Sequence, residues 1–142
     1  MDWKSEAIEK LEKFEAMKCS VENLQQELLR LELEATAIKS SDPERAGKGG
    51  VSRGEDRLLS IVVQRQELHN RLARAKNWIE QVSRGLAALT YEERLIMDKC
   101  YIKQEKCAVD NLCYDLGAEK STVYRKRDKA LLKFTTALYG IA

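Results

Sequence analysis

Residues 109–128 read VDNLCYDLGAEKSTVYRKRD. Leu112 and Leu116 are four apart and share one helix face. Cys113 sits between them, small enough for a partner helix to approach. Gly117 follows directly and can adopt the positive φ that ends a helix. Val123 comes six residues later and anchors a second helix on the first. The stretch therefore predicts two helices joined at Gly117, the first over about 108–116 and the second over about 120–138, with Gly140 as the far stop. Along the second helix, Val123, Ala130, Leu131, Phe134 and Leu138 form one apolar line. Lys120, Ser121, Tyr124, Arg125 and Asp128 recur on the opposite face.

Upstream, Thr90 and Glu93 have the spacing of a capping box and start a helix at Tyr91. Its apolar face is Leu95, Ile96, Cys100 and Tyr101, with Met97 beside it, and KQEK at 103–106 forms a polar link.

Further upstream the period changes. From Met17 through Val21, Leu24, Leu28, Leu31, Ala35 and Ile38, apolar or small residues recur in steps of four and three, and Ala7, Leu11 and Phe14 lead into them. Such a seam marks a long helix that packs along a partner. Asp2 is its expected N-cap. Residues 40–54, SSDPERAGKGGVSRG, hold the only Pro and four of the seven Gly, and read as a loop that Ser52 and Glu55 close with a further capping box. A second seam follows through Leu58, Ile61 or Val62, Arg65, Leu68, Leu72, Ala75, Ile79, Val82, Leu86 and Leu89. Leu29, Leu33 and Trp78 lie beside the seams and widen them. Matched helices on the order of 50 Å, joined by a short link, imply an antiparallel hairpin.

The expected fold is thus all-α. A helical hairpin occupies residues 1–89 (helices about 3–40 and 55–89, loop 41–54). A three- to four-helix helix-turn-helix unit occupies residues 90–142. Composition agrees, with 34% charged and 6% aromatic residues in 142. No run of about 18 apolar residues occurs, so no membrane span is expected. The charged N-terminus lacks the apolar stretch of a signal peptide, and the chain is expected to be cytoplasmic. Four cysteines without C-x-x-C spacing, and the single His69, predict neither zinc nor disulfides. No nucleophile motif or phosphate loop is present, so neither catalysis nor a cofactor is expected.

Charge is uneven. Residues 1–40 are net −3, residues 41–89 net +3 and residues 90–142 net +2. The two arms attract, and the widened seams predict homo-oligomerisation through the hairpin or docking on the C-terminal unit. Residues 120–133 hold six basic groups against one acid, Asp128. A basic run on the outer face of a second helix suits double-stranded DNA. Arg125 can bond guanine bidentately, while Ser121 and Tyr124 can reach phosphates or base edges. Lys126, Arg127, Lys129 and Lys133 flank that face as phosphate contacts, and Thr122 sits at the positive helix end.

LTYEERLIMDKCYI at 89–102 followed by VDNLCYDLGAEKSTVYRKRDKALLKF at 109–134 resembles region four of bacterial sigma factors. Leu89, Glu93, Arg94 and Tyr101 match that family's opening helix. Leu116, Gly117, Thr122, Val123, Ala130 and Leu131 match its turn and second helix. With a helical half ahead of it, the chain is similar to small phage and prophage late-gene regulators of the RinA/ArpU type. The resemblance covers about residues 89–138. It implies promoter recognition and contact with RNA polymerase. Two positions depart from the pattern: Glu119 stands where a Ser often caps the helix, and Lys126 where the residue is usually apolar. Two other classes fit the same layout. One is a DNA-packaging oligomer like a small terminase subunit, and the other a coiled-coil protein-interaction module.

Overall fold

The computed structural model describes residues 2–40 and 50–141. Among these the chain is all-α, with five α-helices and no strand. They are α1 (Trp3–Lys39), α2 (Gly50–Ala87), α3 (Tyr91–Met97), α4 (Ala108–Leu116) and α5 (Lys120–Tyr139).

Asp2 caps α1 as its residue type dictates: its Oδ1 accepts the Lys4 N–H at 3.1 Å and its Oδ2 the Ser5 hydroxyl at 2.6 Å. α2 begins at Gly50, five residues before the expected start. Ser52 and Glu55 therefore fall inside the helix instead of opening it, and the Ser52 side chain and residues 41–49 of the expected loop lie outside the described residues. Gly50 and Gly54 each weaken a helix by about 1 kcal/mol relative to Ala, which is too little to stop one.

The described residues divide into two compact units, Met1–Lys18 with Asn77–Ala142, and Cys19–Lys76. This division differs from a boundary at 89/90. In the first unit Ala7, Leu11 and Phe14 of α1, Val82 and Leu86 of α2, and Leu89 share one core with the C-terminal helices. Ile96 and Met97 of α3, Leu112 of α4, and Val123, Ala130, Leu131 and Phe134 of α5 complete it. Those N-terminal seam residues thus find their cover in α3–α5, because three short helices alone bury too little surface to stand by themselves. Truncating Phe134, which is wholly buried, would cost about 3–5 kcal/mol.

The second unit is smaller. Leu31, Ala35 and Ile61 form its buried core, with Ile38, Leu58 and Leu68 against them. Its two helical segments run antiparallel. The fork of Arg57 grips Glu34, Nε to Oε1 at 2.6 Å and Nη2 to Oε2 at 2.8 Å, while Arg65 reaches back to Glu32 at 3.4 Å. Arg65 occupies a seam position, half-buried, with its Nε lacking a hydrogen-bond partner.

Candidate nucleic-acid interface

Three local devices fix α5. The first is the start of α3. The Thr90 hydroxyl accepts the Glu93 N–H at 3.2 Å, and Glu93 Oε1 accepts the Thr90 N–H at 3.0 Å. This is the reciprocal capping box that T-Y-E-E predicts. The second is a widened turn. After Met97 the chain continues as a π-helical stretch over Asp98–Ile102, where the Lys103 N–H donates to the Asp98 carbonyl at 2.8 Å. Sequence periodicity reads this stretch as ordinary helix. The wider turn lets three successive residues, Cys100, Tyr101 and Ile102, all rest against the core. The third is Gly117, at φ 60° and ψ 37°, which closes α4 as the motif requires.

α5 packs against both α3 and α4. Its buried face carries Val123, Ala130, Leu131 and Phe134 as expected, and Leu138 is half-buried. Thr135 is buried too, although its hydroxyl hides it from an apolar pattern; the hydroxyl donates to the Leu131 carbonyl at 2.7 Å. Glu119 holds the N-cap position in an extended conformation and makes no side-chain cap bond.

The ten residues expected to meet DNA separate into three groups. Ser121, Tyr124, Arg125, Asp128 and Lys129 line one shallow groove on the exposed face of α5. Within it, Arg125 and Lys129 are exposed and have no ion-pair partner among the described residues. Lys120, Lys126 and Lys133 are engaged elsewhere. Lys120 lies 3.3 Å from Asp110 of α4, Lys126 2.5 Å from Glu92 and Lys133 3.1 Å from Glu93. The Asp110 carboxylate beside Lys120 holds that ammonium above its ordinary range. Lys126 lies half-buried with its amine turned onto α3, which explains a lysine at a usually apolar position: the stem covers core and the charge is met. Thr122 and Arg127 are half-buried. The Arg127 guanidinium stands 5.0 Å from the Tyr124 ring centre and 3.6 Å from Asp128, and its Nε is buried without a hydrogen-bond partner.

Two groove residues lie outside the expected set, the exposed Leu132 of α5 and Lys4. Lys4, on the first turn of α1, joins the face of α5. It is placed by the stacking of its neighbour Trp3 on Tyr139, with ring centres 4.7 Å apart. No local pattern announces this, since the two ends of the chain meet only in the folded unit.

The cysteines, Cys19 and Cys107 exposed and Cys100 and Cys113 half-buried, are free thiols. Burial pushes the Cys100 thiol above its ordinary range. Cys107 adopts φ 57° at the start of α4, and Gln104 φ 50° in the preceding link. No helix among the described residues is long and apolar enough to cross a membrane. Comparison with protein-family models, curated proteins and solved structures returns no match for this chain.

Proposed function

We propose that the protein is a sequence-specific DNA-binding transcription regulator that works in the cytoplasm and reads promoter DNA through α5. The observation that carries this reading is the groove face of α5. Two unpaired cations, Arg125 and Lys129, stand one turn apart and share the groove with the hydrogen-bonding Ser121 and Tyr124 and with Lys4. A helix is the element that fits a major groove, and arginine is its commonest specific reader of guanine. The short helix α4, its αL stop at Gly117 and the packing of α5 on α4 are what a helix-turn-helix reading expects, and they support it. The resemblance of residues 89–138 to sigma region four adds RNA polymerase as a partner and phage or prophage late genes as targets. The reading assigns the chain no catalysis.

Selection from random duplexes, followed by fluorescence anisotropy on the selected site, tests this. Arg125→Ala should weaken specific binding by about 1–3 kcal/mol while leaving random-duplex binding nearly unchanged. Equal losses on both duplexes would remove its base-reading role. The packaging alternative requires closed ring oligomers in native mass spectrometry, and smaller species speak for the regulator.

A further inference from the structure

Apart from the groove on α5, the larger unit holds a cavity of about 280 Å³ lined by α1, the end of α2, and α3 with its π-helical continuation. Tyr91, Arg94, Leu95, Asp98 and Ile102 recur three and four residues apart, which keeps them on one side of α3 and of the turn that continues it. Phe14 and Leu86 are buried in the lining, and Leu95 and Ile102 add half-buried apolar surface. The π-helical turn supplies both its ends, Asp98 and Ile102. Such turns are rare and recur at functional sites. The charges of the lining are not equivalent. Glu15 is met by Lys18, 3.8 Å away, whose ammonium also sits 4.2 Å from the centre of the Phe14 ring. Asp98 is met by Lys103 at 3.4 Å. Arg94 is exposed and has no ion-pair partner among the described residues. The cavity thus joins an apolar lining to one unmatched guanidinium.

We propose that this cavity binds a small monocarboxylic acid with an apolar body. An apolar lining with a few placed polar groups is the general make-up of a small-molecule site. The guanidinium fork matches the two oxygens of a carboxylate and gains nothing from a cationic head. The anion carries a single charge, because a dianion such as a phosphate monoester would set a second charge beside Glu15 and Asp98. The body is apolar, because polar groups placed against Phe14, Leu86, Leu95 and Ile102 would lose water without gaining hydrogen bonds. At about 30 Å³ for each water-sized group, the space takes on the order of nine non-hydrogen atoms. That is the size of a phenyl- or alkyl-substituted acid, and too small for a nucleotide. No residue of α4 or α5 lines the cavity, so the inference is independent of what α5 binds.

Methyl resonances of the full chain, titrated with phenylacetate and separately with octanoate, read binding at the cavity itself. Shifts at Leu86, Leu95 and Ile102 should saturate for at least one of the two acids, with Kd on the order of 0.1–1 mM, the strength that a ligand of about ten atoms allows. Phenylacetamide and octanamide keep the body and lose the charge, and should bind at least about 10-fold more weakly than the acids. Arg94→Gln should weaken the acids at least about 10-fold and leave the amides as they are. Arg94 is exposed, so helix content by circular dichroism should not change. If that variant loses helix, the comparison of acid with amide on the native chain decides. Arg84→Gln, at an exposed arginine outside the cavity, should leave Kd as it is. Acids that leave the three residues unshifted up to about 10 mM overturn the proposal. Acids and amides of equal affinity, or acids indifferent to Arg94→Gln in a folded variant, overturn it equally.

Discussion

Two glycines hold the C-terminal unit together for opposite reasons. Gly117 has a left-handed backbone, φ 60°, and open space around it: a Cβ there would meet nothing within 4 Å. Gly85 has ordinary helical backbone, but a Cβ there would come within 2.8 Å of Phe134 Cε2 and 3.1 Å of Leu138 Cδ2. Gly117→Ala should therefore cost about 1–2 kcal/mol from conformation alone. Gly85→Ala should regain about 1 kcal/mol of helix propensity and lose up to about 3 to the displaced ring, a net destabilisation. Urea unfolding of the two variants gives both values. Following either with Phe134→Leu should relieve Gly85→Ala and leave Gly117→Ala unrelieved. Gly117 is legible in the sequence because its role is local, at the end of an apolar helical pattern. Gly85 is not, because it depends on a ring 49 positions away. Glu93 shows the same division. Its part in the capping box follows from spacing, and its bond to Lys133 does not. Burial raises its carboxyl pKa, but the Thr90 N–H, the Lys133 ammonium and the Thr90 hydroxyl outweigh burial and hold it below its ordinary value. A group depressed in the folded state contributes stability that is whole above its unfolded pKa of about 4.3 and is lost as pH falls through the folded value. The melting temperature of the native chain should thus exceed that of Glu93→Gln above pH ~5, and the difference should shrink in acid. A constant gap down to pH ~3 would assign the loss to shape instead of charge.

At the scale of the element, α5 carries two kinds of cation that composition cannot tell apart. Lys126 and Lys133 face α3 and are held by Glu92 and Glu93, whereas Lys129 and Arg125 face out. The hydroxyl-and-arginine face was readable from its helical spacing, because exposure follows from burial of the opposite line of Val123, Ala130 and Phe134. Which lysines remain free was not readable, since their acidic partners lie 34 and 40 residues upstream on another helix. A cation already paired has fewer counterions to release on meeting a phosphate. Lys129→Ala should therefore lower the salt slope of DNA binding by about 1, while Lys126→Ala should barely move it. Lys126→Ala should appear instead as a stability loss of up to about 1 kcal/mol, as expected of a part-exposed ion pair. Anisotropy titrations at several salt concentrations, with thermal melts alongside, separate the two. Equal slopes for both variants would return Lys126 to the DNA face.

For the whole molecule, the two units differ in how much they bury. The larger one gathers thirteen buried apolar residues among those described, and the smaller one six. The heptad seams pass through 18/19 and 76/77 without a break, so no local signal marks where one unit yields to the other. What decides is cover. Seam residues such as Leu11 and Val82 are buried in a core that α3–α5 share, while the smaller unit buries Leu31 and Ile61 but leaves its seam residues Val21, Leu24 and Leu68 half-buried. Opening free energy follows buried contact, so amides near Leu31 and Ile61 should exchange with solvent well before those near Leu112, Val123 and Phe134. Hydrogen exchange of the native chain, read by mass spectrometry, makes the comparison. Equal protection in the two cores would show that two facing helices cover the smaller unit as well as α3–α5 cover the larger, and that buried contact does not set the ranking.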